Sequence, residues 1–211
     1  DFYEMASDPD FESRLVYESG GDYPWQAKRG PFKKSDFKKN ALWTLICHNL
    51  ENYCEELYEI KKRVNFISDW HFDDVMATIS KKGASVGAHI DDYSVFIFQG
   101  TGKRKWMIEE KPNDAFIPEI DIKLIQKFNP DYEWILEPGD MIYIPPGVAH
   151  HGVTIEDSIS YSIGFKSIRY NQLLETMLSD DQFKLDEFSF HDKKIEKVND
   201  IFNIPDHVIL D

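Results

Sequence analysis

Cysteine is nearly absent from this chain. Its 211 residues include only Cys47 and Cys54, so no disulfide framework organises the fold, and a reducing cytoplasm is the expected location. Basic residues are also in deficit. The 24 Lys and Arg face 38 Asp and Glu, a formal net charge of −14, which argues against direct nucleic-acid binding. That acidity suits a soluble protein and would attract a basic polypeptide partner. Long apolar runs are missing too. None reaches the roughly 18 residues of a membrane span, so no membrane association is expected. The opening Asp1-Phe2-Tyr3-Glu4-Met5 has neither the basic nor the apolar part of a secretory signal. The sequence starts without Met and stops abruptly at Asp211, which raises the expectation of a fragment. It contains no internal repeat and no low-complexity tract.

What is present is globular. The length suffices for one sizeable core plus an appended helical piece, and the 42% hydrophobic content excludes disorder. Residues 11–17 read as extended, followed by breakers at Gly20, Gly21, Pro24, Gly30 and Pro31. Apolar residues Leu42, Leu45, Ile46, Leu50, Tyr53, Leu57 and Ile60 predict a helix over about 39–63, with Glu51, Glu55 and Glu56 on its solvated face.

From Asp74 the period changes. Val75–Ser80, Val95–Gln99, Lys105–Ile108, Tyr132–Leu136, Met141–Ile144 and Ser158–Ile163 read as short strands. Gly100-Thr101-Gly102 is expected to turn between two antiparallel strands, and Glu137-Pro138-Gly139-Asp140 to form a second turn. Many short strands point to an antiparallel barrel or sandwich, cupins and jelly rolls among them. After Ile168 the pattern turns helical, over 170–178 and 193–202. Trp106, Phe96, Phe98, Trp134, Tyr143 and Phe165 are expected in the core. Tyr93 and Tyr161 are weaker candidates for lining a site.

The chemistry sits in two blocks. Gly87-Ala88-His89-Ile90-Asp91 is answered by Pro145-Pro146-Gly147-Val148-Ala149-His150. Two imidazoles and one carboxylate form the ligand set that holds one face of Fe(II) and leaves the opposite positions open. On one strand, His89 and Asp91 would point the same way, because side chains alternate with period two. The Pro-Pro-Gly turn would hold His150 rigidly, while His151 falls outside the set. Arg104, within Lys103-Arg104-Lys105, is placed to grip a carboxylate inside a barrel, with Ser80 as a supporting hydroxyl. Lys103 and Lys105 would point the opposite way, into solvent.

These blocks, extended to Gly87–Trp106 and Leu136–His150, resemble the JmjC-type cupins, and among them the bacterial ribosomal oxygenases. Tyr161–Phe165 is similar to the family's closing strand, and Ser13–Val16 with Gly30–Phe32 to its N-terminal segment. Ala88 stands where a proline is common. The resemblance implies a mainly β fold with flanking helices, a double-stranded β-helix over residues 1–168. It also implies a helical region of dimerisation type from 169 to 211, hence a homodimer. It implies Fe(II) on His89, Asp91 and His150, and 2-oxoglutarate as co-substrate on Arg104 and Ser80. With O2, these would hydroxylate a side chain of a basic ribosomal protein, arginine in bacterial members and histidine in eukaryotic ones. Two alternatives stand beside this reading: a small-molecule cupin dioxygenase, and an inactive metal-binding cupin.

Overall fold

Strand β11 (Ser158–Phe165) shows how alternation builds the molecule. Ser158, Ser160 and Ser162 alternate with Ile159, Tyr161 and Ile163, which gives one polar face and one apolar face. The computed structural model describes residues 1–18, 25–38, 41–112, 115–117 and 124–166. Within it, β11 pairs with β4 (Phe72–Ser80) on one side and β6 (Ser94–Thr101) on the other. The sheet continues through β3 (Trp43–Cys47), β1 (Ser13–Glu18) and β2 (Trp25–Arg29) at one end, and through β9 (Met141–Ile144) at the other, seven strands in all. A second sheet has the order β5 (His89–Ile90), β10 (Ala149–Thr154), β7 (Arg104–Glu109), β8 (Tyr132–Leu136). All these pairings are antiparallel.

From β4 onward the chain passes repeatedly between the two sheets, which makes the expected double-stranded β-helix. The apolar face of the large sheet buries Leu45, Val75, Ala77 and Ile163 with the side chain of Leu57 from helix α1 (Glu55–Arg63). The other face meets the small sheet around Val95, Ile97, Trp106, Ile108, Leu136 and Ile144. This second interior also takes the serines of β11, so the barrel is polar at one end. No helix among the described residues is long and apolar enough to cross a membrane.

Several expectations are corrected. The helix predicted over 39–63 exists only as α1. Its first half is strand β3, where Thr44, Leu45 and Cys47 are fully buried. A strand buried on both faces reads as a continuous apolar run, and here its spacing imitates a helical one. Asn49, in the left-handed region at φ 56°, separates the two pieces. Glu51 does not face solvent alone, because its carboxylate accepts the Val75 N–H at 2.9 Å.

Trp134 and Tyr143 are not core but 46% and 43% exposed. The Gly100–Gly102 turn does not close a hairpin, because β6 and β7 belong to different sheets. A side chain on Gly102, at φ +65°, would collide with the Asp157 carbonyl, so this corner needs glycine. The helices expected over 170–178 and 193–202 lie outside the described residues.

Candidate metal centre

His89 and His150 are direct cross-strand partners in the β5–β10 ladder, with ring centroids 4.2 Å apart. Asp91 lies just past the end of β5, not on the strand, yet its carboxylate still turns to both rings. Asp91 Oδ2 is 3.7 Å from His89 Nε2 and 3.5 Å from His150 Nε2. The Gly147 N–H donates to the Asp91 carbonyl at 2.9 Å, which ties the Pro-Pro-Gly turn to the aspartate. Gly147 takes φ +77°, a value that favours glycine.

The tautomers follow from the backbone. His89 Nδ1 lies 3.0 Å from the Gly87 carbonyl and His150 Nδ1 3.1 Å from the Val148 carbonyl. A carbonyl only accepts, so each Nδ1 carries a hydrogen and each Nε2 is the ring atom turned toward the carboxylate. Burial, reinforced by His150, holds His89 below the usual histidine range and therefore neutral. Burial acts to raise the Asp91 carboxyl. His89, His150 and the Tyr93 phenol outweigh it and keep Asp91 ionised.

A neutral His89 beside an ionised Asp91 is a ligand-ready arrangement. The three donor atoms lie within 4.8 Å of one another. Right-angled bonds of about 2.1 Å would need donors roughly 3 Å apart, a small contraction from the observed spacing. The set fits a divalent first-row metal with an open face, Fe(II) above all.

Arg104 occupies the far end of the same interior. The ladder pairs His150 with Ile108, Gly152 with Trp106, and Thr154 with Arg104, all six on one face. His150 and Thr154 are therefore about 13 Å apart along the strand. Trp106 fills the layer between them, and only glycine fits beneath it. A Cβ at Gly152 would come within 2.9 Å of the indole.

The Arg104 guanidinium is 4% exposed and donates through Nη2 to Ser80 Oγ and, at 3.3 Å, to Thr154 Oγ1. Ser80 Oγ is braced by Thr44 Oγ1 at 3.0 Å. Arg104 Nε has no partner, and no carboxylate among the described residues pairs with the cation. Burial pulls its pKa down to about 10, so it is still charged at neutral pH. A buried, uncompensated cation is costly unless an anion joins it.

The remaining sequence candidates separate cleanly. His151 points to the opposite face of β10 and packs edge-on against Phe128. Burial, with the nearby imidazoles, lowers it to about 4. Lys103 and Lys105 point outward and pair with Glu137 at 2.6 Å and Glu133 at 3.4 Å, although β7 is an interior strand and not an edge. Tyr93 lies beside Asp91, whereas Tyr161 stacks on Phe98 across the large sheet, away from the ligands. Sequence reasoning missed Thr44, Gly152 and Thr154. The signal for the last two was even spacing from His150, which became readable once 149–154 was recognised as a strand.

Comparison with known proteins places this site in a family. Residues 59–173 match the model of the JmjC domain. The chain is 34% identical over 171 residues to the ribosomal protein uL16 3-hydroxylase of Escherichia coli K12, covering 81% of this chain and 45% of that protein. It is 32% identical to a probable ribosomal oxygenase of Haemophilus influenzae, covering 83% and 44%. A solved structure of the Escherichia coli ribosomal oxygenase YcfD with cobalt and 2-oxoglutarate superposes with a TM-score of 0.71 at 29% identity, covering 94% of this chain and 54% of that one.

The chain belongs to the JmjC-domain family. Within it, the relatives it matches over most of its length are ribosomal oxygenases, and it spans about half of their length.

Proposed function

We propose that this chain carries the catalytic domain of an Fe(II)- and 2-oxoglutarate-dependent oxygenase that hydroxylates a ribosomal protein, at arginine. The observation that carries the reading is Arg104, a buried cation with no anionic partner among the described residues, in the same barrel as the two-histidine, one-carboxylate set. Its guanidinium suits the distal carboxylate of 2-oxoglutarate, oriented by Ser80 and Thr154. His89, Asp91 and His150 would hold the ion, with both Nδ1–H groups locked by backbone carbonyls. The bound ion supplies oxygen activation coupled to decarboxylation of the oxo acid and hydroxylation of a C–H bond. Trp106 walls the interior between the two ends and excludes water. The relatives' names support a ribosomal protein as substrate, and the −14 charge favours encounter with a basic one. The choice of arginine and a homodimer built on residues 169–211 rest on family resemblance, and a cytoplasmic location on the scarcity of cysteine.

Anaerobic addition of Fe(II) with and without 2-oxoglutarate tests the centre. A visible charge-transfer band that requires both is expected. Bound iron with no band on adding 2-oxoglutarate would leave the small-molecule or inactive cupin. Mass spectrometry of ribosomal proteins from cells with and without the gene then reads the target. One added oxygen on an arginine, present only with the gene, is expected. The same mass on histidine would move the protein to the other branch.

A further inference from the structure

The inner face of β8 is exposed where the ladder says it should be buried. Tyr132, Trp134 and Leu136 are register partners of Ile108, Trp106 and Arg104, so they point to the same side of the sheet. Leu136 is buried, yet Tyr132 is 48% and Trp134 46% exposed. Topology is the reason. Strand β8 ends the small sheet and β9 ends the large one, and the two edges stand apart. A cleft of about 450 Å³ opens between them, floored by Ile108, Ile144 and Val148. Its inner end adjoins the metal centre, because Ile108 pairs with His150 and the Val148 carbonyl holds His150 Nδ1.

The walls of this cleft are chemically specific. The Tyr132 and Trp134 rings stack at 5.7 Å and 19°. Glu110 lines the same end, and its backbone N–H is held by the Asp131 carboxylate at 3.0 Å. Among the described residues, no lysine or arginine lines the cleft. The nearest cations on β7 and its approach, Lys105 and Lys103, are already paired with glutamates on the outer face. Two π faces beside the Glu110 carboxylate, with no cation among the described lining residues, complement a guanidinium or ammonium group.

We propose that the cleft between β8 and β9 docks an arginine or lysine side chain of an extended basic polypeptide, outside the metal centre. The occupant rests on the reading that the substrate is a basic protein, and charge complementarity selects it over an apolar partner.

The probe is a fluorescein-labelled peptide of alternating arginine and glycine, with a glutamate–glycine peptide as control. Anisotropy is read on the metal-free protein, so binding is scored independently of oxygenase activity. Binding of the arginine peptide alone is expected, weakened roughly tenfold by Trp134→Ala. Glu110→Gln should weaken it too, and Trp134→Phe should restore most of the affinity. Each variant is checked for an unchanged melting temperature. Equal affinity in wild type, Trp134→Ala and Glu110→Gln would overturn the proposal. So would a Trp134→Ala protein that loses self-association while peptide binding is unaffected, which would assign the cleft to a second copy. A protein that binds the peptide through Trp134 yet hydroxylates no ribosomal protein would keep the cleft and sink the substrate reading instead.

Discussion

Replacing Arg104 by Met should have opposite effects on the free and the 2-oxoglutarate-bound protein. In the free protein the guanidinium is buried with one unpartnered nitrogen and no anion among the described residues, so its charge is a net liability. Met keeps most of the stem volume, and Ser80 keeps its contact with Thr44. The metal-free, ligand-free variant should therefore melt at or above the wild-type temperature. With a redox-inert divalent metal and 2-oxoglutarate the order reverses. A ligand at 100 times its Kd adds about 2.7 kcal/mol to the wild type. For a domain of this size that amounts to a rise of about 5–10 °C. Loss of the charge-assisted pair should weaken the ligand by about 2–5 kcal/mol, which removes nearly all of that rise. Differential scanning fluorimetry with and without ligand measures both effects, and the apparent KM for 2-oxoglutarate should rise steeply while metal affinity holds. A variant that keeps the full ligand-induced rise would refute the assignment of Arg104. The outward, paired Lys103 and Lys105 would then be the next positions to test.

Ala substitution at His89, Asp91 or His150 should abolish metal-dependent turnover of 2-oxoglutarate, and His151→Ala should retain most of it; the reverse pattern at 150 and 151 would place the ligand one residue off. Gly152→Ala puts a methyl within 2.9–3.1 Å of the Trp106 ring and should destabilise by about 1–3 kcal/mol in urea denaturation, with a weakened co-substrate site. Cys47 is fully buried in β3 and its thiol is pushed up from 9.0 to about 12, so at pH 8 iodoacetamide should label Cys54 alone until the protein is unfolded. The sign follows from linkage: the Cys47 proton stabilises the fold below pH 9, and that contribution is lost as pH rises from 9 toward 12.

The barrel was legible where a short apolar or aromatic run is bounded by turn residues. Tyr132–Leu136 and Met141–Ile144 match their strands end to end, bounded by the Glu137–Asp140 turn, whose Gly139 takes φ +98°. A short β-prone run and a glycine turn are local signals, and a short window contains them. Strand β3 was not legible for the same reason. It is buried from both sides by tertiary pairing with β1 and β4, so its apolar run carries no alternation, and the following helix absorbed it. The exposure of Trp134 was equally out of reach. Aromatic content predicts burial, but only the sheet order reveals that β8 is the last strand of its sheet among the described residues.

The candidate metal group was readable because its spacing is short and its turn is rigid; the other end of the candidate site was not, because its parts come from four strands. Arg104 stood out by its place two residues after Gly102, on a strand expected to line the barrel. Its environment did not, since Thr44, Ser80 and Thr154 lie on β3, β4 and β10 and meet only through the register of two sheets. The serines of β11 were the available clue. A Ser-x-Ser-x-Ser strand facing an ordinary hydrophobic core would bury hydroxyls to no purpose, and each unpaired one costs free energy. Here Ser160 Oγ donates to Gln99 Oε1 at 2.9 Å, while Ser158 Oγ is buried without a partner beside the Ser80 pair. A polar barrel end with a spare hydroxyl and a spare guanidinium nitrogen is built for an anion. The serine alternation and the buried Arg104, taken together, therefore make this end of the barrel fit for an anion, as the two imidazoles and the carboxylate make the other fit for a metal.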